Sequence, residues 1–81
     1  VVLAIRDGGT DPACVRVAAT QEVQVRNELG EELVFVVGEV QETIPEGDEL
    51  RLGVAGEILE RGVNYFWMVG HPDKSGIIEL G

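Results

Sequence analysis

The stretch that decides the fold is Gly62-Val63-Asn64-Tyr65-Phe66-Trp67-Met68-Val69-Gly70-His71-Pro72-Asp73-Lys74-Ser75-Gly76-Ile77-Ile78-Glu79-Leu80. Residues 63–69 read as a strand. One parity carries Tyr65, Trp67 and Val69, and the other carries Asn64, Phe66 and Met68. Residues 71–76 have loop composition, and Pro72 biases His71 toward an extended backbone. Ile77 to Leu80 reads as a last strand.

Working outward from there, the same β signal recurs. Val1, Leu3 and Ile5 form an apolar strand that ends at Asp7-Gly8-Gly9. Val15 and Val17 share one parity, with Cys14 and Arg16 on the other. Val23 and Val25 alternate with Gln24 and Arg26, the pattern of a half-buried strand. Residues 33–37 are apolar on both parities and read as a central strand covered on both faces. Residues 40–44 continue as a short strand. Pro45-Glu46-Gly47-Asp48 has turn chemistry, and Leu50, Leu52 and Val54 then alternate with polar residues. Residues 56–62 suffice for one helical turn. Seven or eight short strands predict an all-β Greek-key sandwich or small barrel. At 81 residues, the chain is one domain, 1–81.

Composition narrows the function. Fifteen Asp and Glu stand against six Lys and Arg, a net charge of −9. The acids are spread evenly, so there is no basic patch. Nucleic acid and anionic membrane surfaces would be repelled. No apolar run approaches the roughly 20 residues needed to span a bilayer. One His and one Cys are too few for the usual zinc sites. Cys14 has no partner for an intramolecular disulfide. The chain starts at Val1 without Met or a signal peptide, as a trimmed or processed product would.

The C-terminal stretch resembles the closing segment of the cupredoxin family, the plastocyanin-like blue-copper domains, written G-x-Y-x-F/Y-x-C-x-x-H-P-x-M-x-G-x-I/V-x-V. Pro12 to Asn27 resembles the family's P-x-x-V-x-V-x-x-G-x-x-V-x-V/F-x-N strand pair, with Thr20 or Gln21 where glycine is usual. Pro45-Glu46-Gly47 resembles its x-P-G-x turn, with one residue inserted. The resemblance implies the fold, a parallel pairing of residues 1–6 with a later strand, and a secreted, periplasmic or cell-surface setting, with lipid anchoring before trimming as one form of it.

A blue-copper site needs two imidazoles, a thiolate and a weak axial ligand. On this sequence the thiolate position holds Met68 and the axial position Lys74. The first histidine position falls near Leu33, and only His71 remains. The family's tyrosine four residues before the thiolate position is Asn64 here, with Tyr65 adjacent. The resemblance therefore implies the fold while the ligand set argues against its electron-transfer chemistry.

The expectation is a non-enzymatic module with no cofactor, monomeric or weakly oligomeric, that contacts a protein partner. One alternative is a copper-handling protein binding Cu(I) through Met68 and His71, since thioether and imidazole both suit that ion. Another is an Ig-like adhesion or ligand-binding domain. Met68 reads first as core filler. Cys14 reads as a buried inert thiol rather than a reactive one near Arg16. Asp7-Gly8-Gly9-Thr10-Asp11 reads as a solvated turn rather than a calcium loop. Tyr65 and Trp67 are candidates for an interaction surface, although a small domain needs its aromatics in the core. No spacing among the fifteen acids singles out a catalytic pair.

Overall fold

A computed structural model describes residues 1–81. Its strands are β1 (Val2–Arg6), β2 (Gly9–Asp11), β3 (Cys14–Val17), β4 (Glu22–Asn27), β5 (Leu33–Val37), β6 (Val40–Ile44), β7 (Glu49–Val54), β8 (Gly62–Met68) and β9 (His71–Leu80). A single turn of helix, α1 (Ala55–Ile58), lies between β7 and β8. The strands form two sheets, ordered β2-β1-β4-β7 and β3-β9-β8-β5-β6. The chain is an all-β sandwich.

Each sheet contains one parallel pair, β1 with β4 and β3 with β9. The β1–β4 pair is the parallel pairing that the resemblance implies. A fully antiparallel Ig-like arrangement would lack it.

Two elements differ from the sequence expectation. Gly9–Asp11 is a strand rather than turn residues, and it brings the count to nine. Three residues with no apolar alternation carry no period-two signal, so only pairing with β1 reveals it. Residues 71–76, expected as a loop, are the first half of β9. The ladder is broken there. Phe66 opposes Gly76 and Met68 opposes His71, so four residues of β9 face Trp67 alone. Such a bulge bends the strand and re-aims its side chains.

The core lies between the sheets. Leu3, Ile5, Val23 and Val25 from one sheet meet Leu33, Phe35, Val37, Phe66, Met68 and Ile78 from the other. Phe35 and Phe66 stack with ring centroids 5.5 Å apart. That stack decides which face of β8 turns inward. Asn64, Phe66 and Met68 point inward, and Val63, Tyr65 and Trp67 point outward. The preference for burying Tyr65 and Trp67 is corrected here: a two-layer sandwich covers one face of each sheet, and Phe66 already fills the inner one. In β5, Val36 is buried on the outer side, where it opposes Trp67 across the ladder.

Cys14 is exposed, not buried. It shares the outer parity of β3 with Arg16, while Val15 and Val17 turn inward. Parity outweighs the general preference of free thiols for burial. The β5–β6 hairpin closes through Gly38-Glu39. Gly38 has φ 56° and Glu39 does not have a positive φ, as a type II′ turn requires.

Candidate functional site

One end of the sandwich carries an open depression of about 360 Å³. It is lined by Asp7 from the β1–β2 turn, Leu29, Gly30 and Glu31 from the β4–β5 loop, and His71 and Lys74 from β9. Three chain segments far apart in sequence meet there.

Asn27, at the end of β4, builds the middle wall. It is 1% exposed. Its Nδ2 donates to the carbonyls of Glu31 (2.8 Å), Ile44 (3.0 Å) and Pro45 (3.1 Å). Its Oδ1 accepts from the Leu29 N–H at 2.9 Å. These bonds fix the loop that carries Glu31. Glu31 Oε1 then lies 2.8 Å from His71 Nε2.

Lys74 is the unusual member. It lies on the same strand parity as Ile78 and Leu80, and it is 5% exposed. A buried lysine is rare unless its donors are satisfied. Its Nζ donates to the Asp7 carbonyl at 3.1 Å and to Asp73 Oδ2 at 3.0 Å. Its own carbonyl accepts from Thr10 Oγ1 at 2.6 Å. Lys74 thereby ties the bulge of β9 to the β1–β2 hairpin. The Asp7–Asp11 segment is occupied by these contacts and by Arg6, whose Nη1 lies 3.0 Å from Asp11 Oδ2.

The hydrogen bond from Lys74, followed by Asp73's own backbone N–H, holds the Asp73 carboxyl below the usual carboxylate range. The charges of Lys74 and His71 act in the same direction. A carboxyl depressed in the folded state stabilises it above its unfolded pKa. That contribution is lost as pH falls through the lowered folded pKa. Stability of the wild-type chain is therefore expected to fall more steeply than that of Asp73→Asn below about pH 4. Urea-unfolding midpoints of both proteins across the acid limb check this, and parallel curves would contradict it.

The sequence-derived positions divide into two groups. His71 and Lys74 line the depression. Met68 is 1% exposed and Leu33 2% exposed, and both belong to the core cluster without lining it. Met68 is the ladder partner of His71 in the β8–β9 pairing. The side chain that reaches His71 from the β4–β5 side is Glu31 rather than Leu33. Sequence reasoning missed Glu31, because it counted residues from Asn27 without the path of the loop. Asp7 and Asp73 were also missed, since their roles depend on where the Lys74 side chain ends.

This donor set does not fit a type 1 copper centre. The Met68 thioether is packed in the core and cannot act as a thiolate. Cys14 does not line the depression. The Lys74 amino group carries no free lone pair when protonated and is already bonded to protein oxygens. No three His, Cys, Asp or Glu side chains converge in an arrangement suited to a metal ion.

Tyr65 and Trp67 lie elsewhere, on the outer face of β8, 66% and 43% exposed. They line a second depression of about 490 Å³ together with Glu39, Glu57, Glu60 and Val63. Asn64 braces its floor. The Asn64 side chain accepts from the Glu60 N–H at 3.0 Å and donates to the Glu60 carbonyl at 2.7 Å.

No family model matches the chain. No curated protein matches it either. Solved structures do. A purple cupredoxin from Nitrosopumilus maritimus superposes with a TM-score of 0.80 at 14% identity, covering 100% of this chain and 99% of that one. A methionine-to-alanine mutant of amicyanin in its Cu(I) form gives 0.79 at 15% identity, with 100% of this chain and 81% of that one covered. The copper-containing nitrite reductase from Thermus scotoductus gives 0.77 at 18% identity, with 100% of this chain against 22% of that one. The fold is cupredoxin-like.

Proposed function

We propose, from a cupredoxin-like fold whose metal end is closed by protein bonds, that this chain is a non-catalytic domain lacking a type 1 copper site. It acts as a structural or protein-interaction module in an extracellular, periplasmic or cell-surface setting. The observation that carries this reading is the buried Lys74 amino group, bonded to the Asp7 carbonyl and to Asp73. A cation beside a metal site repels a metal ion, and here the lysine supplies the cross-link between loops that a metal would otherwise make.

A second reading has its own observation. Met68 and His71 oppose each other across the β8–β9 ladder, so a Cu(I) ion could bridge thioether and imidazole if Met68 turned outward. Calorimetric titration with Cu(I) and Cu(II) separates the two. The expected result is no stoichiometric binding and no intense visible band. Stoichiometric Cu(I) binding that disappears in Met68→Ala and His71→Ala would replace the first reading with the second.

A further inference from the structure

Of the Asp and Asn residues in this chain, Asp7 alone is followed by glycine. Asp7 and Gly8 form the turn between β1 and β2, closed by the pairing of Arg6 with Gly9. Both turn residues are exposed. The Asp7 carboxyl is free, because Arg6 and Lys74 pair with Asp11, Glu28 and Asp73 instead. The Gly8 N–H donates to no backbone carbonyl. A methyl group added to Gly8 would meet nothing within 4 Å, so its nitrogen is unhindered. The other Asp and Asn side chains lack this freedom or this neighbour. Asp11 precedes Pro12, which has no N–H. Asn27 and Asn64 spend their amide atoms on backbone bonds, and Asp73 is held by Lys74.

A carboxyl beside the nitrogen of the next residue can close a five-membered ring. Lys74 sits where it helps. Its Nζ donates at 3.1 Å to the Asp7 carbonyl, the oxygen of the same peptide unit whose nitrogen belongs to Gly8. A cation on an amide oxygen makes the N–H of that amide more acidic, since the charge left behind spreads onto the oxygen. Lys74 is 5% exposed, so its ammonium is held in place before any reaction begins.

We propose that Asp7-Gly8 is a modification site that isomerises spontaneously to an isoaspartyl linkage, with the Lys74 amino group as the placed donor. In the first step the Gly8 nitrogen bonds to the carboxyl carbon of protonated Asp7. The nitrogen's proton and the carboxyl hydroxyl leave as water, giving a succinimide. Water then adds to one ring carbonyl and breaks its bond to nitrogen. Attack at the former side-chain carbonyl restores Asp7. Attack at the former main-chain carbonyl, the one Lys74 polarises, sends the chain through the Asp7 side chain. The oxygen that Lys74 touches becomes part of a carboxylate, so a bond to a neutral carbonyl becomes an ion pair. One carbon is added to the main chain at the turn, where the space around Gly8 is open. Water is lost once and gained once, and the net charge stays at −9. The product carboxylate is the kind of group that a methyltransferase using S-adenosylmethionine can esterify. None of this depends on the interaction-module reading.

The test follows the intact chain through weeks in heavy-oxygen water at neutral pH. Each passage through the succinimide leaves one heavy oxygen in either product. Peptide mass spectrometry with electron-based fragmentation locates the label and separates the two linkages, and methyl transfer by an isoaspartyl methyltransferase counts the product independently. A synthetic peptide of residues 4–11 supplies the rate and the product ratio without the fold. The expected result is label at Asp7 alone, entering about ten-fold faster in the folded chain than in the peptide and with a higher isoaspartyl share. Lys74→Met should lose both advantages, whether or not it stays folded. Gly8→Ala, which the open turn accommodates, should remain folded and slow the label by about ten-fold or more.

Slower labelling in the folded chain than in the peptide would show that the turn holds the carboxyl away from the Gly8 nitrogen, and would overturn the site. Equal rates in wild type and Lys74→Met would remove Lys74 from the chemistry. Faster labelling in Lys74→Met would mean that its bond restrains the turn instead. Either result overturns the proposal, as would an isoaspartyl share no higher than the peptide's.

Discussion

Gly76→Ala is expected to cost at least about 3 kcal/mol and to lower the thermal midpoint by more than about 12 °C. Gly76 lies where β9 leaves its bulge and begins to pair with β3. A methyl group there would collide with the carbonyl oxygen of Ala13 and with the Cζ of Phe66, and would lie 2.8 Å from the Phe66 Cε2. Neither neighbour can give way cheaply. The Ala13 carbonyl accepts the Ile77 N–H at 2.9 Å, the bond that opens the parallel β3–β9 pairing. The Phe66 ring is fully buried and stacked on Phe35. Total stability for a domain of this length is about 4–12 kcal/mol, so the variant would retain little margin. Urea and thermal unfolding read the loss directly. A change under about 1 kcal/mol would show that β3 can shift away without consequence.

Asn27→Ala is expected to cost about 3–5 kcal/mol, from the same measurements. The side chain makes four bonds to backbone groups, three given to carbonyls and one accepted from Leu29. Alanine would leave these buried groups unsatisfied at about 1–3 kcal/mol each, partly relieved by water. Asn27→Asp would be worse than its similar shape suggests, since it keeps the acceptor but aims a carboxylate at three carbonyls. The variant also has a local consequence. Asn27 holds the Glu31 backbone, and Glu31 reaches His71. His71 ring signals should therefore shift in Asn27→Ala and should not shift in a core variant of equal cost such as Val23→Ala. Unchanged His71 signals would show that Glu31 is positioned without Asn27.

The depression at the end of the sandwich gains meaning from these contacts. Three loops meet at a charged cluster built from Lys74, Asp73, His71 and Glu31. The surface ion pairs elsewhere, such as Arg16 with Glu79 and Arg51 with Glu22, are exposed and contribute about 0–1 kcal/mol each. Lys74 differs because its stem is buried and its bonds join segments 67 residues apart.

Much of the fold was legible in residue order. The alternation of Val23 and Val25 with Gln24 and Arg26 marks β4, because a strand with one covered face must repeat every two residues. Gly38 and the Pro45-Glu46-Gly47 segment mark where strands end, since they suit turn backbones. The shortage of imidazole and thiolate groups was legible as well, because the chain has one His and one Cys. The exposure of Cys14 follows from its own strand, where Val15 and Val17 claim the inner parity.

Other features were decided only by tertiary structure. Both parities of β8 carry aromatics, so periodicity could not choose its inner face. The choice fell to Phe66 because Phe35 stands opposite it in the assembled core. The bulge in β9 was hidden, since a polar strand of irregular register has no period to detect. Glu31 replaced Leu33 as the neighbour of His71 because a loop's path, not its length, determines which side chain arrives. The amino-acid order by itself determined most of the strands and the acidic surface, both of which depend on residue type and spacing along one chain. Only the folded sandwich brought Lys74 to Asp7 and set Trp67 beside three unpaired glutamates. Those meetings join residues separated by long stretches of chain, and separation in sequence carries no information about where a side chain ends.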